Sequence, residues 1–121
     1  MLYKRNEYFR YTFGNPLEGE FRIVIDDDQG EESSPGDCQL IDISPGGAKI
    51  FAKFNIPVEH RSVRLHVKFT LFEEVIEVLG VIVWRKPYTG GYMYGFDFDE
   101  DATLEQIIVK ELKLRRRSEK N

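Results

Sequence analysis

The chain has 121 residues, a length that suits one domain on the usual range of about 100–200 residues. Hydrophobic residues at 41% and charged residues at 31% exclude global disorder and fit a folded, soluble chain. Seventeen Lys+Arg against 21 Asp+Glu leave a formal net charge of −4, which disfavours a general nucleic-acid binder with its basic footprint but leaves room for a small anionic ligand held by a local cluster of cations.

Residues 1–17 read as a polar, irregular leader with a charged opening, Lys4-Arg5-Asn6-Glu7, and a turn signal at Gly14-Asn15-Pro16. Phe21, Ile23 and Ile25 alternate with Arg22 and Val24 and predict a strand. The stretch from Asp26 to Gly36 is rich in Asp, Gly and Ser and predicts a solvated loop without helix or ladder. Strand pattern resumes over 37–44, turns at Pro45-Gly46-Gly47, and continues over 48–52. The clearest period-2 signal is Val63, Leu65, Val67, Phe69 and Leu71 against Ser62, Arg64, His66, Lys68 and Thr70, the pattern of a half-buried antiparallel strand. A β-rich run from Glu73 to Arg85 carries Gly80, which predicts a bulge or barrel corner there. After a turn over 86–91, Tyr92, Tyr94, Phe96 and Phe98 form an aromatic stripe on a further strand. The period then changes: Leu104, Ile107, Ile108, Glu111 and Leu112 fall on one helical stripe. Thr103 with Gln106 reads as a capping box, and Arg115-Arg116-Arg117 suits the negative helix end. About six strands and one helix predict a small all-β barrel with a covering helix, in which closure removes exposed edges. No linker divides the chain, so a leader over 1–17 and one domain over 18–121 are expected.

The single cysteine, Cys38, makes no internal disulfide and is compatible with a reducing cytoplasm. No apolar run approaches the roughly 18 residues of a membrane helix, and the opening residues lack the apolar core of a signal peptide. No catalytic residue is assigned: the serines lie outside a nucleophile elbow, and His66 reads as an exposed strand histidine. No metal site is assigned, because Cys38, His60 and His66 have no ligand spacing. Trp84 and the stripe of Tyr92, Tyr94, Phe96 and Phe98 could stack bases, but an aromatic stripe at strand spacing is core more often than a base-stacking platform.

Two segments stand apart. Arg5 and Arg10 lie in the leader, and guanidinium forks grip phosphates and stack on bases. Asp42-Ile43-Ser44-Pro45-Gly46-Gly47 offers a carboxylate matched to the N–H edge of a guanine, a hydroxyl, and glycines that permit close backbone approach. A solvated tail and an Asx-type turn are the plain alternatives for these two segments.

In this order the two segments resemble the PilZ domain family, known for RxxxR in an N-terminal leader and a later [D/N]xSxxG. The second motif is intact as Asp42, Ser44 and Gly47. The flanks are similar too: Cys38-Gln39-Leu40-Ile41 before it, Gly46-Gly47-Ala48-Lys49-Ile50 after it, the strand Leu79–Arg85 with Trp84, and Tyr94-Gly95-Phe96-Asp97-Phe98 ahead of an acidic helix start. The resemblance implies an all-β, six-stranded antiparallel barrel with a C-terminal α-helix. It implies a non-catalytic receptor and adaptor, with cyclic di-GMP as ligand and no cofactor. The ligand-binding set it implies is Arg5, Asn6, Arg10, Asp42, Ser44, Gly46 and Gly47. A downstream protein of motility, biofilm or envelope systems is the implied partner, in the cytoplasm, for a monomer or dimer. The chain departs from the pattern at one place. Family leaders commonly read RRxxxR, and aligned on Tyr8-Phe9-Arg10 this chain has Asn6 where the first RxxxR arginine belongs. A charge-assisted hydrogen bond contributes roughly 1.5–3 kcal/mol. Its loss predicts about 10- to 150-fold weaker binding or, as the alternative, a PilZ-fold interaction module without nucleotide.

Overall fold

The alternation read from the sequence becomes alternating burial in the computed structural model, which describes residues 10–26, 28–58 and 63–119. Its elements are β1 (Tyr11–Asp26), β2 (Glu31–Glu32), β3 (Gly36–Ser44), β4 (Gly47–Ala52), β5 (Arg64–Thr70), β6 (Val75–Tyr88), β7 (Gly91–Phe98) and α1 (Ala102–Glu119). All strand pairs are antiparallel, in the order β2-β1-β3-β4-β7-β6-β5. β5 returns to pair with β1, so six strands close into the expected barrel and β2 extends it at one side. Closure falls to β1 because it is long: Gly19, Glu20 and Phe21 pair with β3 on one side and with β5 on the other.

Leu40, Ile43, Ile50, Leu65, Tyr94 and Phe96 are all at most 2% exposed and form the centre of the barrel. Three of the four aromatics of the β7 stripe are therefore core, and the half-buried Tyr92 packs at its margin. The buried Tyr94 hydroxyl keeps its hydrogen bonds: it donates to Phe54 O at 2.7 Å and accepts from Ile56 N at 2.8 Å. On α1, Ile108 and Leu112 are buried in the same core, with Leu104 and Ile107 packed against it. No described helix is long and apolar enough to cross a membrane.

Several local expectations are corrected. β1 starts at Tyr11, inside the stretch read as irregular, because Tyr11 and Thr12 pair with Ile43 and Asp42; Gly14-Asn15-Pro16 falls at a register irregularity of that strand. The acidic loop holds a two-residue strand, since Glu32 and Glu31 pair with Val24 and Asp26. The turn expected over 86–91 shrinks to Thr89-Gly90, because the β6–β7 ladder continues through Tyr88↔Gly91 and Gly90, at φ 83°, turns the chain in two residues. The cap of α1 is Asp101 rather than Thr103: its Oδ1 accepts the Leu104 N–H at 3.1 Å, which is where an N-cap carboxylate reaches. Gly80 keeps a regular register, and the irregularity of β6 lies between Ile82 and Trp84.

The end of α1 is tied to the start of β1. Arg115 donates to Leu71 O at 2.7 Å and lies 5.0 Å over the Phe13 ring, while Arg116 lies 5.7 Å over Tyr11. The Tyr11 hydroxyl bonds to Glu119. Two of the three terminal arginines thus pack on aromatic faces, beyond the dipole role expected of them.

Candidate functional site

The motif turn is built by its small residues. The Ser44 hydroxyl, buried, donates to Gly47 O at a long 3.4 Å and closes Pro45-Gly46 on itself. Gly46 O accepts the Phe98 N–H at 3.0 Å, fastening the turn to β7. A Cβ on Gly47 would stand 2.7 Å from Phe96 O, so no side chain fits there. Ser44, Gly46 and Gly47 therefore shape the turn, and Asp42, largely buried, carries the carboxylate beside it.

Asp42 reaches the outer surface because of a bulge. Leu40 and Ile43 are both fully buried, although they are three residues apart in a strand of period 2. The register shifts between Leu40↔Ile50 and Asp42↔Lys49, so Ile41 and Asp42 together oppose Lys49. Strict alternation from Leu40 would point Asp42 into the barrel; the extra residue turns it outward.

β6 repeats the device. Ile82, buried, pairs with Phe96, and after the irregularity at Val83, Trp84 pairs with Gly95. Alternation from Ile82 would again bury Trp84, yet it is 43% exposed. Its indole lies over the Gly95 backbone, where an added Cβ would stand 2.1 Å from Nε1. The pairs Thr12↔Asp42, Asp42↔Lys49, Lys49↔Gly95 and Gly95↔Trp84 form one row across five strands. At about 4.8 Å per strand, Asp42 and the indole over Gly95 stand roughly 10 Å apart on one face.

Cations flank the carboxylate. Arg10 Nη1 donates to Asp42 Oδ1 at 2.5 Å, and the Lys49 backbone N–H donates to the same oxygen at 3.2 Å. Lys49 Nζ lies 3.9 Å from Oδ2. The Asp42 side chain is 11% exposed, against 39% and 41% for Arg10 and Lys49. The row is an acceptor with two partly solvated cations beside it and an aromatic surface further along. Of the residues singled out from the sequence, the structure brings together Arg10, Asp42, Ser44, Gly46 and Gly47. Arg5, Asn6 and His60 lie outside the described residues.

A groove of about 580 Å³ runs along α1 past Gln106, Val109 and Lys113, and another of about 300 Å³ lies by Cys38 and Phe51; neither includes Asp42. His66 is less exposed than expected: its side chain is 26% exposed, held 3.0 Å from Glu32 Oε2 and 2.8 Å from Glu77 Oε1. Burial, with nearby Asp37, pushes the Cys38 thiol up to about 12, which leaves it unreactive at neutral pH.

The PilZ domain model matches residues 4–115. The chain belongs to the PilZ domain family. Among solved structures, this PilZ domain is similar to the PilZ domain with c-di-GMP of YcgR from Escherichia coli. The TM-score is 0.64 at 16% identity, over 95% of this chain and 94% of that one. At that identity the likeness speaks for the shared PilZ barrel. No curated protein sequence matches this chain significantly. Lys49 and Trp84 join the row of Asp42 through strand register, which local sequence does not show. In the sequence Lys49 shows only as part of a flank that carries the resemblance, whereas Trp84 also offers an indole able to stack a base.

Proposed function

We propose that this PilZ domain is a non-catalytic receptor for cyclic di-GMP, a bacterial second messenger, and that it relays binding to a partner protein in the cytoplasm. The observation that carries the reading is Asp42 on the outer barrel face with its carboxylate held by side-chain cations. A guanine edge offers N–H donors that replace those of Arg10, and the released guanidinium then meets phosphate or base. The similar YcgR structure is of a PilZ domain with c-di-GMP, which supports the choice of nucleotide. Leader residues Arg5 and Asn6 complete the set, with Ser44, Gly46 and Gly47 holding the turn. The indole over Gly95 is a flat surface for a second base.

The relay runs through the residues next to Arg10. Tyr11 and Phe13 lie under Arg116 and Arg115, so a change of Arg10 is passed to the end of α1 within a few residues. Asn6, neutral where the family pattern has arginine, favours a second reading, a PilZ-fold interaction module that has lost the nucleotide. Titration calorimetry with cyclic di-GMP on the folded protein separates the two. Saturable heat supports the receptor. Absence of heat at high micromolar ligand, with a partner captured equally with and without nucleotide, supports the module.

A further inference from the structure

We infer that Lys49 is the second phosphate-holding cation of this site, supplying the charge that Asn6 lacks. The inference rests on the cyclic di-GMP reading and narrows it to residues of this chain. The ligand carries two phosphates, and the leader pattern supplies its cations at fixed spacing. Here one of those positions is the neutral Asn6.

The barrel offers a replacement on the same face. Lys49 stands opposite Asp42 in the β3–β4 register, with Arg10 approaching the carboxylate from the β1 side. The two cations therefore flank the acceptor. Their attachments differ: Arg10 is within 2.5 Å of the carboxylate, whereas the Lys49 ammonium is at 3.9 Å and its side chain is 41% exposed. The backbone N–H of Lys49, rather than its ammonium, makes the hydrogen bond to Oδ1. The side chain can swing to a phosphate while that bond keeps Asp42 in place. On its other side lies Gly95, whose missing side chain leaves room for the Trp84 indole to lie over its backbone, next in the row to Lys49.

Lys49→Met keeps the aliphatic stem and removes the charge. Calorimetry with cyclic di-GMP is expected to show a loss of about 10- to 150-fold, with an unchanged melting temperature and a shallower dependence of affinity on added NaCl. Lys49→Arg retains binding. Asn6→Arg placed on Lys49→Met recovers affinity to within about three-fold of wild type, as expected when one charge replaces another. Wild-type binding with equal affinity in Lys49→Met overturns the role of Lys49 and leaves the nucleotide reading standing. Weakened binding with an unchanged salt dependence and no recovery by Asn6→Arg also overturns it, because Lys49 would then only position Asp42. No heat from folded wild-type protein overturns the nucleotide reading, and the role of Lys49 with it.

Discussion

Two carboxylates, Asp42 and Glu111, are both withdrawn from solvent, at 8% and 0% exposed, yet they are held in opposite ways. Glu111 Oε1 accepts the backbone N–H groups of Phe72, Glu73 and Glu74 at 3.0, 2.9 and 3.1 Å. Those donors are part of the loop between β5 and β6 and cannot leave without unfolding it. Asp42 has one backbone donor and two side-chain cations, and side chains can move. A carboxylate fixed by backbone is an anchor between helix and barrel. One fixed largely by side chains can exchange its partners for a ligand. Burial alone does not separate the two; the identity of the donors does.

The largest expected effect breaks the anchor. Glu111→Ala leaves three loop N–H groups without their acceptor and is expected to cost about 3–5 kcal/mol, read from urea unfolding. Asp42→Ala is the counterpart. Its exposed cations return to water, so unfolding should shift by only about 1 kcal/mol, while cyclic di-GMP affinity falls at least about 100-fold. Similar stability losses in the two variants would erase the distinction between them.

Acid sharpens the contrast next. Burial opposes ionisation of Glu111, but the N–H groups of Glu73, Glu74 and Phe72 outweigh it and hold the carboxyl below the ordinary carboxylate range. A carboxyl lowered in the folded state contributes stability above its unfolded pKa, about 4.3, and that contribution is lost as pH falls through the folded value. Wild-type protein should therefore lose stability more steeply than Glu111→Gln below about pH 4.3. Parallel curves for the two proteins would show that the carboxylate is not held as described.

The smallest effect concerns the far end of the row. Trp84 is the sole tryptophan, so its fluorescence reports on that place alone. Cyclic di-GMP should change the emission, and Trp84→Ala should weaken binding about 5- to 100-fold, the range for one lost base stack. Unchanged emission at saturating ligand would remove the indole from the site.

Much of the barrel was legible because one face of each strand is buried and a period of 2 survives in the sequence. Val63 to Leu71 shows the rule at its clearest, with every second residue buried. Ser44 and Gly47 are legible because the tight turn demands their residue types, and Asp42 is legible by its fixed spacing from them. The cap of α1 is ambiguous in the sequence because Asp101 and Thr103 are both good capping types, and only the Leu104 N–H decides between them. The role of Glu111 was hidden because its partners are backbone groups of a distant loop, and backbone carries no sequence signal.

The sequence by itself determined the all-β class, the aromatic core strand, the covering helix and the family. Each depends on residue type at a fixed local spacing. Only the tertiary structure decided which side chains share the outer face. Ile41 and Val83 are ordinary apolar residues in apolar runs, and nothing in them announces an extra residue. Pairing with β4 and β7 makes each a bulge. A one-residue slip exchanges the faces of a strand, and these two slips bring Asp42 and Trp84 out of the core and into one row with Lys49.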